Sequence, residues 1–169
     1  MAEHRDQLGN FTAAAIAMGV VAAAAMVGRR ASPTPDHPRT RLWYSNLDKP
    51  GFTPPPPAYA VAWTAIQAGL AYGGYRLLRR PSSPDRMLAL TFWGINQAAI
   101  AGWSEIFFGL RSPGGGTIAA GAMVGTAAGY VAVAAREDEQ AAMAGVPLVL
   151  WVSFATLLAE EIWRRNDPS

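Results

Sequence analysis

Residues 114–135 read GGGTIAAGAMVGTAAGYVAVAA, a run of 22 residues without a charged side chain. A helix of about 20 apolar residues, rising about 1.5 Å per residue, is long enough to cross the hydrocarbon core of a bilayer. Arg111 stands before the run and Arg136 follows it, so charge marks both ends. The stretch therefore predicts a membrane-spanning helix.

Four more runs of similar length also lack charge, and each is bounded by charged or turn residues. Five such runs in 169 residues leave too little polar surface to cover them in water. We therefore predict an all-α fold, a single domain over residues 1–169 that forms an integral membrane bundle of five transmembrane helices. The predicted helices are about 11–28, 58–79, 86–110, 114–135 and 141–165, with a loop at 29–57.

Composition excludes several classes of site and partner. The chain has no cysteine, which excludes disulfides, thiolate metal sites and thiol nucleophiles. Its two histidines, His4 and His37, lie outside the apolar runs, so we expect no histidine-rich metal site. A net charge of +2 is too small to predict nucleic-acid binding. The expected surroundings are a lipid bilayer.

The orientation of the bundle follows from basic residues near the span ends. The amino end and the second and fourth loops carry six arginines, Arg5 among them, whereas the first and third loops and the carboxyl end carry eight basic residues. This balance places the first loop and the carboxyl end in the cytoplasm, in a multi-pass protein of a bacterial cell membrane. The alternative for the first span is a cleaved secretory signal, but Glu3 and Asp6 dilute its positive front, which favours a true helix.

Small residues recur every fourth position on three spans, which lets helix backbones approach closely in lipid. One stripe is Gly121, Gly125 and Gly129, and a shorter one is Gly69 and Gly73. Such stripes are typical of packing within a bundle, but five helices need not use all three faces internally. The third stripe, on the third span, is the candidate for a homodimer face and consists of Gly94, Ala98 and Gly102.

The loop before the second span has a distinctive composition: residues 42–64 read LWYSNLDKPGFTPPPPAYAVAWT, with five prolines. Each proline fixes φ, removes a backbone donor and favours extended geometry in its predecessor. We therefore expect a stiff, extended strap across one end of the bundle, anchored by Trp43, Tyr44 and Phe52. Pro57 suits the first turn of the next helix.

Three motifs resemble the translocator protein family, also called tryptophan-rich sensory proteins (TspO/MBR). The first is Trp43-Tyr44-x-x-Leu47-x-Lys49-Pro50-x-Phe52-x-Pro54-Pro55, followed by Ala62-Trp63-Thr64. The second is Trp103-x-x-x-Phe107-Phe108-Gly109-x-Arg111, and the third is Pro147-x-x-x-Trp151-x-x-Phe154-Ala155-Thr156. They come in the order expected for that family and agree with the five spans.

The resemblance implies a ligand cavity between the helices, closed by the first loop acting as a lid. Family members bind porphyrins, so the implied ligand is a protoporphyrin-like or haem-like tetrapyrrole, with no obligatory cofactor. From the residues themselves, Trp63 and Gln67 share one face of their helix, as do Asn96 and Trp103. The predicted ligand-binding residues are Trp43, Phe52, Trp63, Gln67, Asn96, Trp103, Phe107, Trp151 and Phe154. Arg41 and Lys49 are candidate partners for the ligand's carboxylates.

Simpler interpretations exist for several of these residues. Trp63 lies early in its span and is also typical of an interface anchor, while Trp151 could pack against a glycine-rich neighbour. The usual role of an intramembrane amide such as Asn96 is a hydrogen bond to another helix.

The chain departs from the family where polar residues are usual, and we predict a divergent member. Ile100 and Ala159 stand where the family has asparagine, and Leu148 stands where it often has tyrosine. These losses predict an altered ligand preference and weaken the expectation of sterol binding.

Three functions remain open from sequence. The first is a membrane receptor or carrier of porphyrin-type tetrapyrroles, with a sensory or transport role. The second is a light-dependent porphyrin-degrading enzyme, in which tryptophan and dioxygen would supply the chemistry. The third is a regulatory or scaffolding membrane protein without tetrapyrrole binding. No catalytic residue and no metal ligand is predicted.

Overall fold

A computed structural model describes residues 8–167, and every regular secondary-structure element within this range is a helix. The last turn of α4 continues into a π-helix at Glu105–Gly109. His4 and Arg5, together with the acidic Glu3 and Asp6, lie outside the described residues. The helices are α1 Asn10–Arg29, α2 Pro38–Asn46, α3 Pro56–Leu78, α4 Pro84–Ser104, α5 Pro113–Glu137 and α6 Glu139–Asn166.

Local sequence explains where the helices begin. Proline occupies the first turn of α2, α3, α4 and α5, where its missing N–H costs nothing. The Ser83 and Ser112 hydroxyls accept hydrogen bonds from backbone N–H groups in the first turns of α4 and α5, and the Asp138 carboxylate does so for α6. The five long helices begin and end within a few residues of the bounds expected from the apolar runs, when the π-helix is counted with α4.

The long helices form one bundle. α5 packs along both α4 and α6, α3 lies against α6, and α1 lies against α3 and α4. Short loops join α3 to α4, α4 to α5 and α5 to α6. Helices that follow one another in this series therefore run antiparallel. The carboxyl ends of α4 and α6 and the amino ends of α3 and α5 therefore meet at one end, which we call the lid end.

The segment between α1 and α3 contacts the lid end, and we call it the lid segment (residues 30–55). The prediction of a wholly extended strap is wrong for its first half, because Pro38–Asn46 forms the helix α2. No proline occurs between Pro38 and Pro50, so nothing prevents a helix there. The Lys49 ammonium donates to the carbonyls of Tyr44, Ser45 and Leu47 and caps the end of α2.

Away from the lid end, α6 packs closely against both α3 and α5. A methyl group at Gly69 would lie 2.6 Å from the Ala144 carbonyl oxygen, and one at Gly145 would overlap the Tyr130 ring. Tyr130 is fully buried, and its hydroxyl donates to the Ala141 carbonyl (3.0 Å). Glycine is therefore required at these contacts.

Among residues 8–167, three helices are apolar and long enough to cross a membrane: α1, α5 and α6. α3 and α4 have 23 and 21 residues and end in arginine-containing or polar turns. By length alone, both also match the thickness of a bilayer.

Candidate functional site

One face of α3 carries Tyr59, Trp63 and Gln67 at successive four-residue spacings. Residues four apart on a helix lie one above the other, so the three side chains form a single row. The row faces α6, where the Trp151 ring lies 5.6 Å from Tyr59 and 6.2 Å from Trp63 between ring centroids. Both contacts are edge-to-face, the geometry that aromatic rings prefer.

The lid segment covers this row from the lid end. Phe52 follows Pro50 and contacts Phe154 of α6, with 6.3 Å between ring centroids, and Phe154 in turn contacts Trp151. Phe52 remains half exposed, so it forms the outer edge of the cluster. We call this group the α3–α6 site, and it consists of Phe52, Tyr59, Trp63, Gln67, Trp151 and Phe154.

The α3–α6 site contains buried polar atoms without a partner. The Tyr59 hydroxyl and the Gln67 Oε1 atom are inaccessible to solvent. Gln67 Oε1 forms no hydrogen bond with a described residue, and the Tyr59 hydroxyl lies beside the Tyr44 hydroxyl without a hydrogen bond of good geometry. Leaving such a group unsatisfied costs about 1–3 kcal/mol, so buried polar atoms are nearly always paired. The side-chain amide of Gln97 on α4 is in the same condition.

A second aromatic group joins the lid segment to the π-helix, and we call it the lid cluster (Trp43, Tyr44, Trp103, Phe107 and Phe108). Trp43 and Tyr44 pack edge-to-face against Phe107, at 6.1 and 6.3 Å. Trp103 stacks on Phe107 at 4.9 Å. Tyr59 and Phe154 pack around the same buried residues as the lid cluster, so the two aromatic groups are continuous.

Asn96 is not part of either aromatic group. Its side-chain nitrogen donates to the carbonyls of Phe92 and Thr126, and its oxygen accepts from the Thr126 hydroxyl (2.9 Å). With no exposed surface, the amide has all its hydrogen bonds inside the α4–α5 interface. The geometry gives Asn96 a structural role, the usual one for an amide among packed helices.

The tryptophans fall into two kinds. The Trp93 indole donates to the Leu70 carbonyl and the Trp103 indole to the Gly116 carbonyl, both at 2.8 Å. Trp63 and Trp151 contribute their rings to the α3–α6 site, and neither indole nitrogen is among the buried atoms that lack a partner.

Charge lies at the rim of the site. The Lys49 ammonium is committed to the end of α2 and lies 5.0 Å above the Tyr44 ring, whereas Arg41 is exposed. Burial raises the pKa of the Tyr44 phenol, and the neighbouring Tyr59 hydroxyl offsets part of that rise, so Tyr44 stays neutral at physiological pH. Within residues 8–167, no group of three His, Cys, Asp or Glu side chains is placed to hold a metal ion.

Sequence reasoning missed Tyr59 as a member of the α3–α6 site. Tyr59 could have been found, because it stands four residues before Trp63 and so shares its face. The π-helix had no sequence signal, although it aims Phe107 and Phe108 at the lid segment. Such π-helical turns are rare and recur at functional sites.

The positions that depart from the family pattern are all in the core. Ile100, Leu148 and Ala159 are at most 7 % exposed. Ile100 and Leu148 pack in the main core of the bundle, and Ala159 packs beside Phe107. Apolar packing therefore occupies three places where polar groups were expected, and the polar character of the α3–α6 site rests on Tyr59, Gln67 and the two indoles.

Comparisons with known proteins agree with this architecture. The model of the TspO/MBR family matches residues 13–164. Protein CrtK of Rhodobacter capsulatus is 28 % identical over 73 % of this chain and 78 % of its own length. The tryptophan-rich sensory protein of Cereibacter sphaeroides is 27 % identical over 73 % and 77 %. The translocator protein of Sus scrofa is 27 % identical over 74 % and 75 %. The family match covers most of the described helices, and the chain is a membrane protein of the TspO/MBR family.

Proposed function

We propose that this protein is a five-span membrane receptor or carrier that binds a porphyrin-type tetrapyrrole in the α3–α6 site, beneath the lid segment. The observation that carries the proposal is the combination of buried polar atoms with a cluster of aromatic rings. Gln67 offers an unpaired amide oxygen and Tyr59 a buried hydroxyl, and the rings of Trp63 and Trp151 lie beside them.

A flat amphiphilic ligand matches this arrangement chemically. Ligand sites are mostly apolar, with a few polar groups that fix the orientation of the ligand. A tetrapyrrole presents two aromatic faces for stacking, pyrrole nitrogens at its centre and carboxylates at its edge. The aromatic side chains would contact the faces, and the exposed Arg41 in the lid segment is the candidate partner for a carboxylate.

The side chains on the outer surface support five spans rather than three. Each long helix exposes large apolar residues, including Phe11 on α1, Val61 on α3, Ile95 on α4, Ile118 on α5 and Leu150 on α6. In water such a surface would aggregate, whereas lipid covers it without cost. The orientation in the proposal keeps the lid segment and the carboxyl end in the cytoplasm of a bacterial cell.

The names of the relatives fit a binding or transport role but concern those proteins. One is called a translocator protein and another a tryptophan-rich sensory protein. This chain covers about three quarters of each, and the matched region includes most of the bundle. Neither name specifies a ligand, so the tetrapyrrole assignment rests on the site.

Titration with protoporphyrin in detergent micelles tests the proposal. We expect Trp63→Phe and Trp151→Phe to weaken binding about five- to tenfold, because each variant loses aromatic contact area and an indole donor. The shift of the porphyrin absorbance band reports binding without depending on tryptophan emission.

Trp163→Phe is the matched control. Trp163 is 39 % exposed near the carboxyl end of α6, where its ring lies against Gly114, outside the α3–α6 site. Its removal should leave the affinity unchanged. Equal affinities in all three variants and the unmodified chain would remove the assignment of the α3–α6 site.

A further inference from the structure

The end of the bundle opposite the lid contains a hollow that the proposed function does not use. It has a volume of about 290 Å³ and lies between the last turns of α3 and the first turn of α6. Because the polar ends of two long apolar helices meet there, the hollow lies at the membrane–water boundary of the proposed bundle. Its lining residues are Tyr72, Tyr75, Arg76, Arg79, Arg80 and Asp138.

Asp138, the one acid in the lining, has both carboxylate oxygens engaged. Arg76 donates to Oδ2 through Nε (3.0 Å) and Nη2 (2.7 Å), and the Ala141 backbone N–H donates to Oδ1 (2.9 Å). The Asp138 side chain is 2 % exposed, so it forms the floor of the hollow together with Arg76. Arg76 takes both of the close hydrogen bonds that Asp138 accepts from arginine, so Arg79 and Arg80 add two positive charges beside the pair without a direct ion pair to it.

Most of the other groups near these two arginines are also engaged, although Glu139 in the first turn of α6 is exposed and forms no ion pair with a described residue. The carboxyl-terminal carbonyls of α3, at Leu77 and Leu78, accept from the Arg86 guanidinium, so the negative end of the helix already has a cation. Asp85 pairs with Arg136, and Glu137 accepts a hydrogen bond from Ser83. Within residues 8–167, neither Arg79 nor Arg80 forms an ion pair.

The hollow is held in place by its tyrosines. Tyr72 donates to the Gln140 side chain of α6 (2.6 Å), and the Arg76 guanidinium lies 5.9 Å from the Tyr72 ring. Arg79 donates to the Tyr75 hydroxyl (3.2 Å) and lies 5.7 Å from its ring. Tyrosine at the headgroup level is typical of membrane proteins, and arginine recognises phosphate through paired N–H donors.

We infer that this hollow binds the phosphate of an anionic phospholipid headgroup, with Arg79 and Arg80 supplying the charge and the tyrosine rings flanking the glycerol. The inference rests on the membrane placement proposed above. Basic pockets between spanning helices are known sites for anionic headgroups, and a volume of this size suits a headgroup rather than a whole ligand. The shared chemistry, a phosphate anion, could also come from free phosphate, and the experiment separates the two sources.

The test is native mass spectrometry of the full chain released from nanodiscs made of phosphatidylcholine with phosphatidylglycerol. Arg79→Gln with Arg80→Gln should reduce the retained phosphatidylglycerol at least about tenfold, because it removes both positive charges that attract the phosphate. Arg29→Gln with Arg30→Gln is the matched control, since it also removes two adjacent arginines at the end of a helix, and it should retain the lipid.

A second arm adds inorganic phosphate to the protein in lipid-free micelles and measures the melting temperature. We expect no shift with phosphate and a rise with phosphatidylglycerol. Equal lipid retention in the two double variants, or a shift with phosphate as large as that with lipid, would overturn the inference. Protoporphyrin affinity should be the same in the hollow variant as in the unmodified chain, so failure here is distinct from failure of the tetrapyrrole proposal.

Discussion

The α3–α6 interface has two halves that use their side chains differently. In the half far from the lid end, Gly69 lets α3 approach the α6 backbone, Gly145 makes room for the Tyr130 ring of α5, and Arg76 bonds Asp138. In the lid half, aromatic rings meet edge-to-face, and the buried Tyr59 hydroxyl and Gln67 Oε1 atom form no hydrogen bond of good geometry with a described residue. The α3–α6 interface is therefore closely packed with paired polar groups in the far half, whereas its lid half contains buried polar atoms without a hydrogen-bond partner.

We assign the stability of the bundle to the far half and ligand binding to the lid half. Paired polar groups and glycine contacts in the far half stabilise the helix pair. Unpaired groups in the lid half destabilise the empty protein and gain a partner only when something enters. Substitutions in the far half should therefore change stability, and substitutions in the lid half should change affinity.

The largest effect on stability is expected from Gly145→Ala. The added methyl group would lie 2.6 Å from the Tyr130 Cδ1 atom, and Tyr130 is fully buried with its hydroxyl bonded. Overpacking of this kind costs about 2–3 kcal/mol. The free energy of unfolding in detergent micelles measures it.

Gly125→Ala is the matched control, because no atom lies within 4 Å of its added methyl group. Alanine is the better helix former, so this variant should be unchanged or more stable by up to about 1 kcal/mol. A similar loss in both variants would mean that the close packing of Gly145 against the Tyr130 ring of α5 is not what stabilises the far half.

A smaller effect is expected from Asp138→Asn. Although burial raises the pKa of Asp138, the hydrogen bonds from Arg76 and the Ala141 N–H outweigh it and hold the pKa below its ordinary value. The ionised pair should contribute about 1–2 kcal/mol, reduced by the partial exposure of Arg76. That contribution is complete above the ordinary carboxyl pKa of about 4 and is lost as the pH falls through the lowered value.

The variant and the unmodified chain should thus differ in unfolding free energy at neutral pH and converge in strong acid. Asparagine can still accept from the Ala141 N–H, so the helix cap is preserved and only the charge is removed. A difference that does not depend on pH would contradict an ionic contribution.

The smallest effect on the isolated bundle is expected at the small-residue stripe of α4. No atom lies within 4 Å of a methyl group added at Gly94 or Gly102, so Gly94→Leu should leave the stability of the monomer within about 0.5 kcal/mol. We propose that Gly94, Ala98 and Gly102 form a homodimer face, and the same substitution should then shift the protein toward monomer. Analytical ultracentrifugation in detergent distinguishes monomer from dimer. A variant that dimerises like the unmodified chain would mean that the dimer interface lies on another helix.

Most of the fold could be predicted from the sequence. Long runs without charged residues and prolines in the first turn of a helix are local signals that do not depend on tertiary contacts. The five apolar runs predicted the long helices closely. The helix α2 was missed, since the prolines of residues 50–57 suggested extended geometry for the whole loop, while residues 39–46 contain none.

The site was accessible only in part. The row of Trp63 and Gln67 follows from helical spacing, and its contact with Trp151 follows from the position of Trp151 on α6. Which buried amides form hydrogen bonds could not be predicted. Asn96 and Gln97 are adjacent in sequence, yet Asn96 pairs with Thr126 of α5, whereas the Gln97 amide has no partner among the described residues. Satisfaction of buried polar atoms depends on tertiary neighbours that spacing does not specify.

The most direct test of the account is the protoporphyrin affinity of Gln67→Leu, measured beside its free energy of unfolding. Leucine removes an unpaired buried oxygen, so the empty protein should be as stable as before or slightly more stable, while binding should weaken about tenfold. A variant that loses stability and binds protoporphyrin as tightly as the unmodified chain would show that Gln67 belongs to the packing of the bundle, and would contradict the account.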